Sequence, residues 1–253
     1  MPARLGIISD RLAQPLFNLL REKNKFLLWE NSPAELAIKL RRKELDGAFL
    51  SHIDYAKDYS MYRLLPQIAA VSRKESGAVL LIFREDARTI KKIGVDPAYE
   101  SEIVLASIIL TEKFEVRPQI IPTRSGIECL SQKADAYLAC GDAAMKLREH
   151  RNKLDLVDEW QDITDLPFVH GFWVTREGAL GKEEIDFIIR SGKEGATRFG
   201  QSAEADGSGE LSLFSYSFGE TEIQAVSEFF RMAYYHGIIK DIPDVRFVSD
   251  MKR

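Results

Sequence analysis

The sequence is poor in the residues that build metal centres and disulfide frameworks. Its only two cysteines, Cys129 and Cys140, lie in apolar surroundings without a CxxC pair, so we expect buried thiols and no disulfide. The four histidines lack the spacing of metal ligands, and no HExxH motif is present. We therefore predict no metal site.

Long apolar runs and a surplus of positive charge are also missing. No stretch approaches the roughly 18 apolar residues of a membrane span, and the start lacks the apolar core of a signal peptide. The formal net charge of −4 gives no electrostatic footprint for nucleic acid. These absences predict a cytoplasmic protein that binds neither membranes nor nucleic acid.

Motifs for nucleotide cofactors and for serine hydrolases are absent as well. Neither GxxxxGK[ST] nor GxGxxG follows a predicted strand, and no GxSxG occurs. We therefore predict no cofactor.

The first 50 residues alternate between strand and helix patterns. Apolar runs at 4–9, 25–29 and 45–50 predict strands, and the segments 16–23 and 32–43 between them predict helices. Pro15 suits the start of the first helix, and Ser32 can cap the second. This alternation is typical of a parallel sheet with right-handed crossovers.

Small polar residues follow five of the predicted strands. Ligands of open α/β sheets bind beyond the carboxyl ends of the strands, where helix N-termini offer N–H groups to a carboxylate. Capping and turn formation are the alternative role of each of these residues. The five strand ends carry Ser9-Asp10, Ser51-His52, Ser72 with Ser76, Tyr99 to Ser101, and Gly141-Asp142.

The segment 154–176 has the most distinctive pattern. A short amphipathic piece is interrupted at Pro167, and the aromatic and β-branched run at 168–175 predicts a buried strand. Gly171 within it marks either a close approach by a ligand or a small residue under a neighbouring aromatic ring. His170 is either an acid–base group or a hydrogen-bonded structural residue.

Several segments together resemble one enzyme family. Leu5-Gly6-Ile7-Ile8-Ser9, Ser51 to Tyr55, the 134–144 segment, the 154–174 segment and Tyr216 to Gly237 follow in the same order as in the futalosine-pathway enzymes of menaquinone biosynthesis. The chain is most similar to chorismate dehydratase and less similar to 1,4-dihydroxy-6-naphthoate synthase.

This resemblance implies a two-lobed α/β fold like that of type II periplasmic binding proteins, with mixed sheets flanked by helices. Lobe 1 would comprise residues 1–85 and 174–253, and lobe 2 residues 86–173, with a ligand cleft between them. The charged segment 84–88 would be the crossing between the lobes.

The resemblance also implies a carbon–oxygen lyase that removes water from chorismate. The predicted partner is a small anionic carboxylate. The oligomeric state is left open, with a homodimer as one alternative. We predict Asp10 and Ser76 as catalytic residues, and Arg73 as a further cation that pairs with the anionic substrate. The predicted substrate-binding residues are Ser9, Ser51, His52, Ser72, Ser101, Arg124, Gly141, Asp142 and His170.

Two departures from the family pattern keep a second function open. Leu12 stands where chorismate dehydratases carry an asparagine, and leucine can neither donate a hydrogen bond nor transfer a proton. Ala78 stands where the family has a serine, although a small shift in alignment would offer Ser76. The alternative is a divergent member that binds or converts another small carboxylate without dehydratase activity.

Overall fold

The computed structural model describes residues 2–124, 126–131, 133–205 and 213–248. Their strands form two mixed sheets, one of six strands and one of five. Within these residues, no helix is long and apolar enough to cross a membrane.

The first sheet has the strand order β11-β4-β10-β3-β1-β2. Strands β1, β2 and β3 are parallel, as the alternating pattern predicts, and β10, β4 and β11 continue the sheet in antiparallel fashion. Its strands are β1 (Arg4–Ile7), β2 (Leu27–Glu30), β3 (Gly47–Leu50), β4 (Tyr62–Ser72), β10 (Phe168–Arg176) and β11 (Phe214–Phe218).

The helices of this lobe partly match the sequence patterns. Ser32 caps α2 by accepting a hydrogen bond from Glu35 N at 3.4 Å, with Pro33 in the first turn. Pro15 instead lies inside a 3₁₀ helix (Arg11–Leu16) that precedes α1, because the chain turns there before the regular helix begins. The helices are α1 (Asn18–Lys23), α2 (Pro33–Arg41), α3 (His52–Ala56), α7 (Lys182–Ala205) and α8 (Glu220–Tyr235).

The second sheet has the order β7-β6-β8-β5-β9. Strands β6, β7 and β8 are parallel, and β5 and β9 are antiparallel additions. Its elements are β5 (Val79–Phe83), β6 (Lys92–Val95), α4 (Glu100–Phe114), β7 (Gln119–Pro122), β8 (Ala136–Cys140), α5 (Gly141–Lys146), β9 (Lys153–Asp155) and α6 (Leu156–Thr164), with a 3₁₀ helix at Gly126–Ser131.

The chain crosses between the sheets at 73–78 and returns at 156–167, earlier in both cases than the bounds of 86 and 173 that the resemblance implies for lobe 2. Strand β5 already belongs to the second sheet, and β10 belongs entirely to the first. The half-buried carboxylate of Asp155 accepts hydrogen bonds from Gly77 N at 2.6 Å and Val157 N at 2.9 Å. This carboxylate therefore ties the outgoing crossing to the returning one.

Strand β10 lies in the middle of the first sheet, and Gly171 is needed there for packing. A Cβ atom at Gly171 would overlap Phe49 Cε1 and lie 3.0 Å from Leu50 O. The interpretation as a small residue under an aromatic ring is thus confirmed. Phe49 in turn packs edge-on against Trp173 and Phe17 in the core.

Candidate functional site

A cavity of about 390 Å³ lies between the two lobes, within the size range of small-molecule sites. The first lobe contributes its 3₁₀ helix, the start of α1, helix α7 and strand β11. The second lobe contributes Ala78 and the beginning of α5. The lining residues are Arg11, Leu12, Gln14, Pro15, Asn18, Ala78, Gly141, Asp142, Met145, Phe199, Phe214 and Tyr216.

The loop after β1 is held in shape by one glutamine side chain. Gln14 Nε2 donates hydrogen bonds to the carbonyl oxygens of Ile8 at 3.1 Å, Ser9 at 2.9 Å and Asp10 at 3.3 Å. These three contacts fold the strand end back over the 3₁₀ helix, which explains why a short, proline-containing segment can form a cavity wall.

The same 3₁₀ helix is fixed from the other side by β11 and α7. Tyr216 OH donates a hydrogen bond to Leu12 O at 2.9 Å. Gly195 of α7 faces Pro15 so closely that a Cβ atom would overlap the proline carbonyl oxygen. Backbone contact at Gly195 therefore sets the distance between α7 and the cavity wall.

Asp10 joins the two lobes at the edge of the cavity. Its Oδ1 atom accepts a hydrogen bond from Tyr99 OH at 3.1 Å, while Arg11 N donates to Asp142 Oδ1 at 3.3 Å. Gly141 has φ +53°, and a Cβ atom there would lie 2.8 Å from Asp10 Cγ. Burial raises the pKa of Asp10, the Tyr99 hydrogen bond opposes the rise, and the charge of Asp142 adds to it. The site thus brings together three of the predicted residues, Asp10, Gly141 and Asp142.

Ser51 and Ser101 form a second contact between the lobes, away from the cavity. Ser101 Oγ donates to Ser51 Oγ at 2.9 Å and accepts from Ile53 N at 2.9 Å. Ser51 Oγ donates to Asp54 Oδ2 at 2.6 Å. Both serines are buried and bonded to each other, and neither lines the cavity.

His52 and His170 are buried in the first lobe, at the start of α3 and on β10. His52 stacks on Phe229 with ring centroids 4.2 Å apart, and His170 Nε2 lies 2.7 Å from Ser72 Oγ. Burial lowers the pKa of each histidine to about 3, with the charge of His170 adding to the effect on His52. Both imidazoles are therefore neutral at pH 7, and they lie outside the cavity lining together with Ser72.

The remaining predicted residues lie apart from one another. Ser9 is exposed, and its carbonyl oxygen accepts a hydrogen bond from Gln14 Nε2. Ser76 is buried, with its Oγ accepting a hydrogen bond from Ala78 N at 3.3 Å. Arg124 is exposed beyond β7, at the edge of the second sheet, and Arg73 forms an ion pair with a carboxylate of α8. None of these four residues lines the cavity.

Sequence reasoning missed the aromatic wall of the cavity. Phe199 and Tyr216 pack edge-on with centroids 5.9 Å apart, and Phe214 lies beside them in the lining. These rings come from α7 and β11, which no local motif connects. Only the likeness of the segment beginning at Tyr216 to the family pattern pointed to this region.

The described residues contain no group of three His, Cys, Asp or Glu side chains arranged to hold a metal ion. Within the cavity lining, Asp142 is the one carboxylate and Arg11 the one cation among the residues given above. The arrangement suits an organic ligand with a planar apolar body and an anionic substituent.

Solved structures with the same architecture come from proteins of several kinds. Protein AF1704 from Archaeoglobus fulgidus matches with a TM-score of 0.73 and 19% identity, over 94% of this chain and 98% of that one. The periplasmic aliphatic sulphonate binding protein SsuA from Escherichia coli gives a TM-score of 0.66 at 14% identity, covering 96% and 90% of the two chains. The Candida albicans CA3427 product, described as having the generic periplasmic binding protein fold, gives 0.64 at 13%, covering 97% and 93%.

These likenesses confirm the predicted two-lobed fold of the periplasmic binding proteins, with two mixed sheets flanked by helices. A family model described as "Menaquinone biosynthesis" matches residues 3–235, which is nearly the whole chain. The chain therefore belongs to the menaquinone biosynthesis family.

Proposed function

We propose that this protein is a chorismate dehydratase-like lyase of the futalosine route to menaquinone. In this reaction the ring of chorismate loses the proton at C3 and the hydroxyl group at C4, which leave together as water. The ring becomes aromatic, and the product is 3-[(1-carboxyvinyl)oxy]benzoate. The elimination needs a base for the ring proton and donors that hold the carboxylates.

The observation that carries this proposal is the aromatic-walled cavity between the lobes, with the half-buried carboxylate of Asp10 at its edge. Asp10 packs directly against Gly141, which lines the cavity, and Tyr99 holds the carboxylate in place. Burial raises the pKa of Asp10, which makes the carboxylate a stronger base than an exposed one. Asp10 is the general base of the proposed reaction.

The ring carboxylate of the substrate pairs with Arg11, the cation of the cavity lining. Phe199, Phe214 and Tyr216 supply flat apolar surfaces for the ring. Ser76 Oγ accepts a hydrogen bond from Ala78 N. In this proposal Ser76 therefore stabilises the turn that places Ala78 in the cavity wall.

The proposal is tested by incubating the purified protein with chorismate and following the loss of chorismate absorbance and the appearance of the benzoate product. Replacing the general base in Asp10→Asn should lower kcat about 100-fold or more. The exposed Asp241→Asn serves as the matched control and should leave kcat unchanged. If a high concentration of the wild-type protein leaves chorismate intact, the dehydratase proposal is wrong.

A second candidate function rests on two apolar residues in the cavity lining. Leu12 and Ala78 both line it, at the positions where the family pattern has asparagine and serine. A cavity without those polar groups binds a small aromatic or enolpyruvyl carboxylate and does not eliminate water from chorismate.

This alternative predicts that chorismate and 3-hydroxybenzoate raise the melting temperature of the protein without being converted. It also predicts that Leu12→Asn introduces measurable chorismate turnover, because the amide restores a hydrogen-bonding group to the cavity. Leu27→Asn changes an exposed leucine on β2 in the same way and is the control. Rapid turnover by the wild-type protein would exclude the alternative.

A further inference from the structure

Arg21 of helix α1 is bonded to the 3₁₀ helix that forms a cavity wall, although Arg21 does not line the cavity itself. Its Nη1 atom donates a hydrogen bond to Gln14 Oε1, and its Nη2 atom donates to Glu30 Oε2 at 2.6 Å. Glu30 is the last residue of β2 and is exposed, whereas Arg21 is half-buried. The guanidinium therefore joins the end of an edge strand to a side chain of the cavity.

The contact with Arg21 fixes which way the Gln14 amide faces. A guanidinium group only donates hydrogen bonds, so the amide oxygen points toward Arg21 and the amide nitrogen toward the loop after β1. That nitrogen bonds the carbonyl oxygens of Ile8, Ser9 and Asp10. The reversed amide would place its oxygen against three carbonyl oxygens, none of which can donate a hydrogen bond. Arg21 thus selects the orientation in which Gln14 holds the loop.

The shape of this loop decides where Asp10 and the following amide reach. With its carbonyl oxygen bonded to Gln14, Asp10 directs its carboxylate to the second lobe and accepts a hydrogen bond from Tyr99 OH at 3.1 Å. The next backbone amide, Arg11 N, donates to Asp142 Oδ1 at 3.3 Å. Both hydrogen bonds join the lobes, so release of Gln14 would disturb the proposed general base and the cavity wall together.

We propose that Arg21 is a positioning residue for Asp10 and that it acts through Gln14. Arg21 keeps the glutamine amide in the orientation that holds the loop, and the loop holds the carboxylate against Tyr99. Glu30 supports the arginine from the other side, since a planar guanidinium serves two acceptors in one fixed geometry. The catalytic consequence rests on the proposed function, whereas the placement of the carboxylate can be measured without turnover.

The test titrates the Asp10 carboxyl carbon by NMR in the full chain. In the wild type, burial raises the pKa of Asp10. Arg21→Met removes both hydrogen bonds of the guanidinium, and Gln14→Met removes the amide, while each keeps an unbranched side chain. In both variants the pKa of Asp10 should fall toward the ordinary value of an aspartate, because the released loop exposes the carboxylate to water. Glu30→Ala, at an exposed position, should shift the pKa less in the same direction.

The double variant distinguishes action through Gln14 from a separate effect of Arg21. If the arginine acts through the glutamine, the double variant should have the same Asp10 pKa as Gln14→Met alone, since groups of one network are not additive. Arg21→Lys keeps a donor for the amide oxygen and should retain most of the wild-type pKa. Arg231→Met removes another arginine that pairs with a glutamate, Glu228 on α8, and should leave the titration unchanged.

Turnover gives a second measurement of the same effect. In a wild-type protein that converts chorismate, Arg21→Met should lower kcat about tenfold or more and change KM little, because Arg21 lies outside the cavity lining. The acid limb of the kcat/KM profile should move to lower pH together with the pKa of Asp10. A loss of stability alone would not move this limb.

The outcomes separate this inference from the dehydratase proposal. An Asp10 titration that stays unchanged in Arg21→Met would overturn the positioning role, and so would a shift in the double variant equal to the sum of the two single shifts. An unchanged kcat in Arg21→Met of an active protein would overturn it too. If the wild type leaves chorismate intact, the proposed function fails alone, and a lowered Asp10 pKa in Arg21→Met still supports the positioning role.

Discussion

Two glycines in the same helix should respond to alanine with opposite signs. Gly195 and Gly200 both lie in α7, and in a helix interior alanine is favoured over glycine by about 1 kcal/mol. A Cβ atom at Gly200 meets nothing within 4 Å, so Gly200→Ala should increase the free energy of unfolding by about 0.5–1 kcal/mol. At Gly195 the added atom overlaps Pro15 O and lies 3.2 Å from Pro15 C.

Relief of this overlap requires a backbone to move, since neither partner is the end of a flexible side chain. Overpacking of this kind costs about 1–3 kcal/mol, occasionally more. Set against the helix-propensity gain of about 1 kcal/mol, the expected net effect of Gly195→Ala is a loss of up to about 2 kcal/mol. Gly195→Ala should also weaken ligand binding, because Pro15 lines the cavity.

Urea denaturation of the two variants and the wild type, followed by circular dichroism, measures both effects. If the slopes with denaturant agree, the difference in midpoints gives the change in unfolding free energy. The prediction is an order of stability in which Gly200→Ala exceeds the wild type and Gly195→Ala falls below it. A Gly195→Ala variant as stable as Gly200→Ala would refute the contact between α7 and the 3₁₀ helix.

Two further predictions concern the buried parts of the lobes. Burial raises the pKa of Glu102 to about 8, aided by the charges of Asp10 and Asp54, from 4.5 when unperturbed. The folded state therefore binds more protons than the unfolded state between these values, and stability is lost as pH rises through them. Glu102→Gln should remove that loss, so urea midpoints at pH 6 and pH 9 should differ less than in the wild type; an unchanged difference would contradict the buried acid. Gly171→Ala should lower the unfolding free energy by about 1–3 kcal/mol through overlap with Phe49, whereas Gly181→Ala, whose Cβ would meet only Glu184 Oε2 at 3.5 Å, should be near neutral.

The fold was largely predictable because its local patterns agree with its tertiary structure. The three parallel strands at the start and the buried strand after Pro167 show the expected apolar patterns, and the structure confirms them. The crossing points were harder to predict. Val79–Phe83 is apolar throughout, and a central strand of either lobe has that composition, so only the pairing of β5 with β8 assigns it to the second sheet.

The candidate site was less predictable, because it depends on which strand ends face the same cleft. Asp10 and Gly141 follow strands of different sheets, and only the closure of the lobes brings them into contact. Arg11 carries no local signal, since an arginine after a strand is ordinarily a surface residue. The sequence pattern favoured Arg124 instead, and only the three-dimensional packing shows that Arg11 lines the cavity and Arg124 does not.

The hydroxyl groups of Ser51 and Ser101 illustrate how lobe closure limits what a strand-end residue can bind. In the structure Ser101 Oγ donates a hydrogen bond to Ser51 Oγ and accepts one from Ile53 N, and all three residues are buried. Leaving one of these groups unsatisfied costs about 1–3 kcal/mol, so a ligand cannot take either hydroxyl unless the lobes separate first. Substrate binding by Ser51 or Ser101 is therefore a prediction about an open state. With the lobes in this arrangement, the side chains open to the proposed ligand are those that line the cavity, including Arg11, Asp142 and Tyr216.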